Sequence, residues 1–167
     1  MTPSFVSFPN PVNEVTARVV AGGVVLLSLA AIVLQQPWLA PAIAGGFLLR
    51  VLSGPRFSPL ALLASRVIVP RLPFAPKLVA GPPKRFAQAI GLTFSAAATL
   101  LFVLELTTAG YVVLGALVVA ATLESVFGIC LGCRAFALLM RLGVIPAEVC
   151  ERCGDIWADR EPLAPAP

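Results

Sequence analysis

Long charge-free runs dominate the hydrophobic pattern of the chain. Positions 19–49 contain no Lys, Arg, Asp or Glu, and two further charge-free runs cover 86–104 and 106–123. A membrane-spanning helix needs about 20 predominantly apolar residues. The first run is longer than one helix requires, and its Gln-Gln-Pro-Trp sequence at 35–38 is typical of a turn. The pattern therefore predicts four spanning helices, arranged as two hairpins, over 15–34, 38–54, 86–105 and 110–127.

The segment 55–85 between the predicted hairpins is basic and rich in proline. Its Ser-Pro pair at 58–59 is a typical helix start, and Pro70 would end that helix. Apolar residues recur on one helical face at Leu60, Leu63 and Val67. About 11 residues are too few to cross a bilayer, so an interfacial amphipathic helix is predicted, with an irregular loop as the alternative.

Composition supports a membrane domain and excludes several kinds of chemistry. Hydrophobic residue types make up 59% of the 167 residues, charged types make up 12%, and the mean hydropathy is +0.95. Soluble domains have about 25% charged residues, which is about twice the share found here. The chain has no His, which excludes Ser-His-Asp catalysis and His-ligated metals. The predicted fold class is an all-α integral membrane protein with short interfacial amphipathic helices.

The basic residues predict the orientation in the membrane. All 12 Lys and Arg fall on one predicted side or at its boundary: Arg18, Arg50, Arg56, Arg66, Arg71, Lys77, Lys84, Arg85, Arg134, Arg141, Arg152 and Arg160. Such residues near span ends stay in the cytoplasm. We therefore expect a multi-pass inner (plasma) membrane protein with both termini cytoplasmic, including a lead-in at 1–14 and a flexible tail at 155–167. The net charge of +4 then matches the anionic leaflet of the bilayer rather than nucleic acid.

Four cysteines form two Cys-x-x-Cys pairs in the predicted cytoplasmic segment 130–154. Cys130 and Cys133 are separated by 16 residues from Cys150 and Cys153. This spacing matches a four-cysteine zinc site, in which four thiolates bind Zn²⁺ tetrahedrally. Zinc is therefore one predicted cofactor, held by all four cysteines.

Thiol redox chemistry is the alternative interpretation of the same cysteines. If the fourth spanning helix ends near Gly128, Cys130 begins a short surface helix over about 130–142. The helix dipole and Arg134 would then favour the Cys130 thiolate. In this interpretation Cys130 attacks, Cys133 resolves, and the second pair passes electrons to the first. Inert thiols or a structural disulfide are the third interpretation.

Glu124 is an acid within a predicted spanning helix. A carboxylate at that depth is costly and usually faces partners inside the bundle. Arg50 lies near the same side of the membrane and is the predicted partner. Helical phase places Glu124 away from Cys130 and Cys133. Two roles for Glu124 are therefore predicted as alternatives. It either forms a structural buried ion pair or takes part in proton or solute handling.

Three segments resemble the bacterial integral-membrane family known as domain of unknown function 4395. They are 8–14, 80–88 and 124–133, and the resemblance extends over about 8–154. The last segment is the most specific because it joins the intramembrane acid to a cysteine pair. Members of this family are associated with thioredoxin-like and sulfurtransferase proteins, so the resemblance implies thiol chemistry with such a partner. It also implies that Lys84 and Arg85 form a surface for lipid headgroups or a soluble protein.

Three functions are therefore predicted, and thiol chemistry is favoured narrowly. The first is a membrane-embedded thiol redox or sulfur-handling protein that acts through Cys130 and Cys133. The second is a zinc-stapled membrane scaffold that binds another protein. The third is a small-solute transporter subunit that uses Glu124, and it would need a homo-oligomer because four helices are few for an enclosed path.

Overall fold

The structure is a computed structural model that describes residues 10–54, 57–73, 75, 77–146 and 149. The described chain is all-α apart from one short pair of antiparallel strands, which confirms the predicted all-α architecture. The predicted tail at 155–167 and the second cysteine pair, Cys150 and Cys153, lie outside the described residues.

Four long helices form the bundle: α1 Glu14–Val33, α2 Leu39–Ser53, α4 Gly81–Val103 and α5 Thr107–Phe127. α1 packs along α5, α2 packs along α4, and α4 also packs against α5. Small residues such as Ala31, Ala40 and Ala98 are fully buried at these contacts, which allows the helices to approach closely. Large apolar side chains cover the outside of the bundle, as expected for a surface in contact with lipid.

Within the described part of the chain, three helices are long and apolar enough to cross a membrane: α1, α4 and α5. α2 is also apolar but has only 15 residues. At about 1.5 Å per residue it spans about 22 Å, which is less than the hydrocarbon thickness of about 30 Å. The helices thus support the classification of the chain as a membrane protein. That α2 crosses the membrane as a fourth span remains a prediction.

The bounds of the first two predicted helices agree closely with α1 and α2, and the third helix starts earlier than predicted. α4 begins at Gly81 rather than at 86, with prolines in its first turn. Lys84 and Arg85 were expected outside the helix because charges are costly in a membrane. Both lie inside it, and each has a polar partner on another helix.

The linker between α2 and α4 contains the predicted short helix. α3 Pro59–Leu63 continues as a π-helical turn, Ala64–Ile68, and a 3-10 turn, Val69–Arg71. Ala61 and Ala64 are buried against α1. Leu63 is 48% exposed, so this segment keeps an apolar outer surface.

A short surface helix, α6 Leu131–Arg141, follows α5 and packs on α4. The predicted break occurs at Gly128, which has φ +69° and ends α5 in the left-handed conformation. Gly143, with φ +72°, follows the end of α6. The helix itself runs within one residue of the predicted 130–142.

Candidate functional site

The chain before α1 is fixed to the chain before α4. The two strands, β1 Val12–Asn13 and β2 Leu78–Val79, pair in antiparallel register. The Gly81 N–H donates to Asn10 Oδ1 over 3.0 Å. The Glu14 carboxylate forms a 2.8 Å ion pair with Lys77 Nζ. Two of the three segments that carry the family resemblance therefore meet in space.

The third segment reaches the same end of the bundle through Arg18 of α1. Its Nε donates to Ser125 O over 3.1 Å, and its Nη2 donates to Val126 O over 2.7 Å. These carbonyls lie in the last turn of α5, where a cation is favoured by the helix dipole. We call this end of the bundle the basic end; it comprises the starts of α1 and α4 and the ends of α2 and α5.

Cys130 and Cys133 lie at the basic end and form a disulfide. Cys130 is the N-cap of α6, and its Sγ accepts a hydrogen bond from the Cys133 N–H over 3.2 Å. The two Cα atoms are 5.2 Å apart. Cys130 is buried at 8% exposure, whereas Cys133 is half-buried. Cys133 is thus the more exposed residue of the pair.

Close packing fixes the cysteine pair against α4. Gly132 lies so near α4 that an added Cβ would be 2.6 Å from the Cα of Ala87. One turn further along α6, the Phe136 ring lies 5.5 Å from the Phe86 ring. α6 therefore packs on α4 through Phe136.

The zinc prediction depends on residues that the structure does not describe. Among the described residues, no group of three or more Cys, Asp or Glu side chains is placed to hold a metal ion. The predicted ligand set also needs Cys150 and Cys153, which lie outside the described part of the chain. The disulfide occupies both sulfurs of the first pair, so that pair is not in a metal-binding state here.

Glu124 has a different partner from the predicted Arg50. Its Oε1 forms a 2.9 Å ion pair with Lys84 Nζ, and Lys84 is only 7% exposed. The sequence prediction missed Lys84 as a partner because it placed this residue in the loop before the third helix. Lys84 also departs from its predicted role as an exposed surface residue. Arg85 remains exposed, and its Nε donates to Val51 O over 3.0 Å.

Arg50 is buried, and its two side-chain hydrogen-bond partners are neutral. Its Nε donates to Gln88 Oε1 over 2.8 Å, and its Nη1 donates to the Ser58 hydroxyl over 3.3 Å. The guanidinium carbon lies 4.4 Å from the centre of the Phe47 ring, a cation–π contact. Within the described residues, the Nη2 of Arg50 is buried without a hydrogen-bond partner. One strong donor therefore remains available inside the protein.

A cavity of about 300 Å³ lies among α1, α2, α4, α5 and α6. Most of its wall is apolar, with many Ala and Gly residues. Four side chains with chemical function contribute to the lining: Arg50, Gln88, Glu124 and Cys130. The expectation that Glu124 points away from the cysteines assumed one continuous helix. The left-handed turn at Gly128 instead brings Cys130 to the same cavity as Glu124.

Gln88 and Ser58 are site residues that the sequence prediction did not include. Gln88 follows Lys84 by four residues on α4, so both share one helical face. This four-residue spacing of polar residues at the start of an apolar helix is the sequence signal that could have identified Gln88 as a site residue. Ser58 was interpreted as a helix cap, but its side chain makes no capping bond and accepts from Arg50 instead.

Residues 12–141 match the family described as a domain of unknown function, DUF4395. This match covers most of the chain, and the protein therefore belongs to that family. No curated protein and no solved structure matches the chain. The family assignment confirms the predicted resemblance, and the function has to be argued from the site.

Proposed function

We propose that this protein is an integral-membrane thiol redox or sulfur-handling protein that exchanges electrons or sulfur with a soluble partner. The observation that supports it is the Cys130–Cys133 disulfide at the start of α6. The partner class is a thioredoxin-like or sulfurtransferase protein. Cys150 and Cys153 are proposed to act with the first pair.

The position of the pair suits reversible exchange. A helix N-terminus and a hydrogen bond from the Cys133 N–H both stabilise a thiolate at Cys130. Because Cys133 is the more exposed sulfur, a partner thiolate attacks Cys133 and Cys130 leaves as the thiolate. A second partner thiol then breaks the mixed disulfide, so the pair is reduced and the partner is oxidised. The proposal therefore reverses the predicted order, in which Cys130 attacks first.

The first prediction is a reversible two-electron transition. Purified protein in detergent, equilibrated with thiol–disulfide buffers, is expected to switch between dithiol and disulfide with a slope of about 30 mV per tenfold change in ratio. The measurement is the alkylation of free thiols with a maleimide reagent, which increases the mass of the protein for each free thiol. Cys130→Ser and Cys133→Ser are expected to abolish the transition of this pair.

Cys150→Ser and Cys153→Ser serve as matched cysteine replacements outside the first pair. They are expected to leave the Cys130–Cys133 transition in place. A pair that stays oxidised or stays reduced across all buffers would contradict the proposal. One bound zinc per chain with four unreactive thiols would instead support the zinc-stapled scaffold.

We further propose a four-span topology in the inner membrane with both termini cytoplasmic. The basic end then faces the cytoplasm, where soluble thiol partners are reduced. α2 contributes the fourth span because it is apolar and because its outward Leu48, Leu49 and Leu52 are exposed.

The second prediction tests this topology. A reporter that is active only outside the cytoplasm is expected to give no signal at the C-terminus and a strong signal when inserted at Gln36. Gln36 lies in the turn between α1 and α2, at the opposite end from the cysteines. Activity of the C-terminal fusion would reverse the orientation and favour a structural disulfide.

A further inference from the structure

The proposed exchange with a soluble partner assigns no role to the cavity beside Cys130. We propose that it binds a lipid-soluble quinone, which oxidises the Cys130–Cys133 dithiol. This inference rests on the proposed function, because it supplies the electron acceptor that reoxidises the pair after reduction by the partner. It assigns a ligand class to the cavity and a binding role to Arg50.

The cavity wall suits a ligand that enters from the bilayer. Its lining is predominantly apolar, and at about 300 Å³ it falls at the lower end of ligand pockets, which run from about 300 to 1,000 Å³. Phe94 of α4 and Leu131 of α6 belong to the lining, and they are 38% and 46% exposed. The cavity therefore extends to the outer surface of the helices. This apolar lining suits a ring with an apolar tail better than a hydrated anion.

The polar end of the cavity suits a carbonyl oxygen. Arg50 is 4% exposed, it lines the cavity, and its Nη2 is buried without a partner among the described residues. An unsatisfied buried donor is unfavourable, and an acceptor on a ligand would satisfy it. The Glu124 carboxylate is already paired with Lys84. Arg50 is thus the side chain placed to bind a quinone carbonyl and to stabilise the negative charge that develops on it during reduction.

Cys130 lies in the same lining, so the reacting sulfur and the quinone share one compartment. In the reaction, the two thiols lose two electrons and two protons and the Sγ–Sγ bond forms. The quinone gains those electrons and protons, and both of its carbonyl oxygens become hydroxyls. The balance is one dithiol plus one quinone to one disulfide plus one hydroquinone. No further oxidant is required.

The test uses the full chain in detergent without oxygen, reduced beforehand and freed of reductant. Decylubiquinone is the probe, and its ultraviolet absorbance reports conversion to the hydroquinone. We expect one hydroquinone for each Cys130–Cys133 disulfide formed. Cys130→Ser is expected to lose this reaction.

Ala120→Leu on α5 narrows the cavity because Ala120 belongs to its lining. We expect it to slow quinone reduction by about tenfold, the change that about 1.4 kcal/mol in the barrier produces. Ala109→Leu is the matched control: it lies on the same helix, it is exposed, and it is not in the lining. Its rate is expected to equal that of the unmodified protein.

Exchange with reduced thioredoxin is measured on every variant, and it separates the two proposals. Exchange that persists in Ala120→Leu shows that the cysteine pair is intact, so a slower quinone rate then reports on the cavity. Normal exchange with no quinone reduction, or with equal quinone rates in both Ala→Leu variants, would overturn the quinone inference and leave the proposed function standing. Loss of exchange in the unmodified protein would overturn both.

Discussion

Replacing Glu124 with Leu is expected to destabilise the protein more than any other single charge removal at the basic end. The change leaves Lys84 at 7% exposure without its ion-pair partner. Breaking a buried pair by removing one member costs about 3–5 kcal/mol, because an uncompensated charge stays buried. The midpoint of thermal unfolding in detergent, followed by tryptophan fluorescence, should fall by roughly 6–20 °C.

Two companion variants separate charge pairing from packing. Glu124→Gln keeps a hydrogen-bond acceptor for Lys84 and is expected to be tolerated better than Glu124→Leu. The double variant Lys84→Met/Glu124→Leu removes both charges and is expected to regain most of the lost stability. Glu105→Leu is the control, because Glu105 is exposed at the opposite end of the bundle. Equal melting of Glu105→Leu and Glu124→Leu would contradict a structural role for the ion pair.

The pair also bears on the transporter alternative. A carboxylate that carries a solute must change partners or protonation during the cycle, whereas Glu124 is held by Lys84 at 2.9 Å. If Glu124 serves only this pair, Glu124→Gln retains thiol exchange. This outcome would support the thiol proposal over a transport path through Glu124.

Local sequence signals were sufficient to predict the helix ends and turns, because these depend on the residues at the turn itself. Gly128 ends α5 as predicted because it adopts a positive φ that most other residues avoid. The Cys130 position at the start of α6 followed from the same break. The turn between α1 and α2 was also found, and Gln35 adopts φ +53° there.

Signals that depend on tertiary partners were not visible in the sequence. The charge pattern excluded Lys84 and Arg85 from a helix, yet Glu124 and the Val51 carbonyl stabilise them inside α4. The pairing of Glu124 with Lys84 rather than Arg50 depends on how α4 lies against α5, which no local spacing encodes. Glu124 and Cys130 line the same cavity because of the turn at Gly128. The direction that the chain takes after this turn could not be derived from the helical phase of α5.

Replacing Gly132 with Ala is expected to displace α6 from α4. The added Cβ would lie 2.6 Å from both the Cα and the Cβ of Ala87, and a backbone atom cannot move aside as a flexible side chain would. Overpacking of this kind costs about 1–3 kcal/mol. Because Cys130 caps α6, the displacement should also expose its sulfur. The expected results are a lower melting midpoint and faster alkylation of reduced Cys130 by a maleimide, measured in a Cys133→Ser background.

Gly115→Ala is the matched control, because nothing lies within 4 Å of the Cβ that it would add. In a helix interior, this change is expected to be neutral or to stabilise the protein by up to about 1 kcal/mol. The double variant Gly132→Ala/Ala87→Gly exchanges the two side chains across the contact. It should restore slow alkylation of Cys130 only in part, since Ala87→Gly removes the Cβ but leaves the backbone Cα of residue 87 at 2.6 Å. If Gly132→Ala alkylates as slowly as Gly115→Ala, then α6 is not held in place by this contact, and the position of Cys130 at the cavity has another cause.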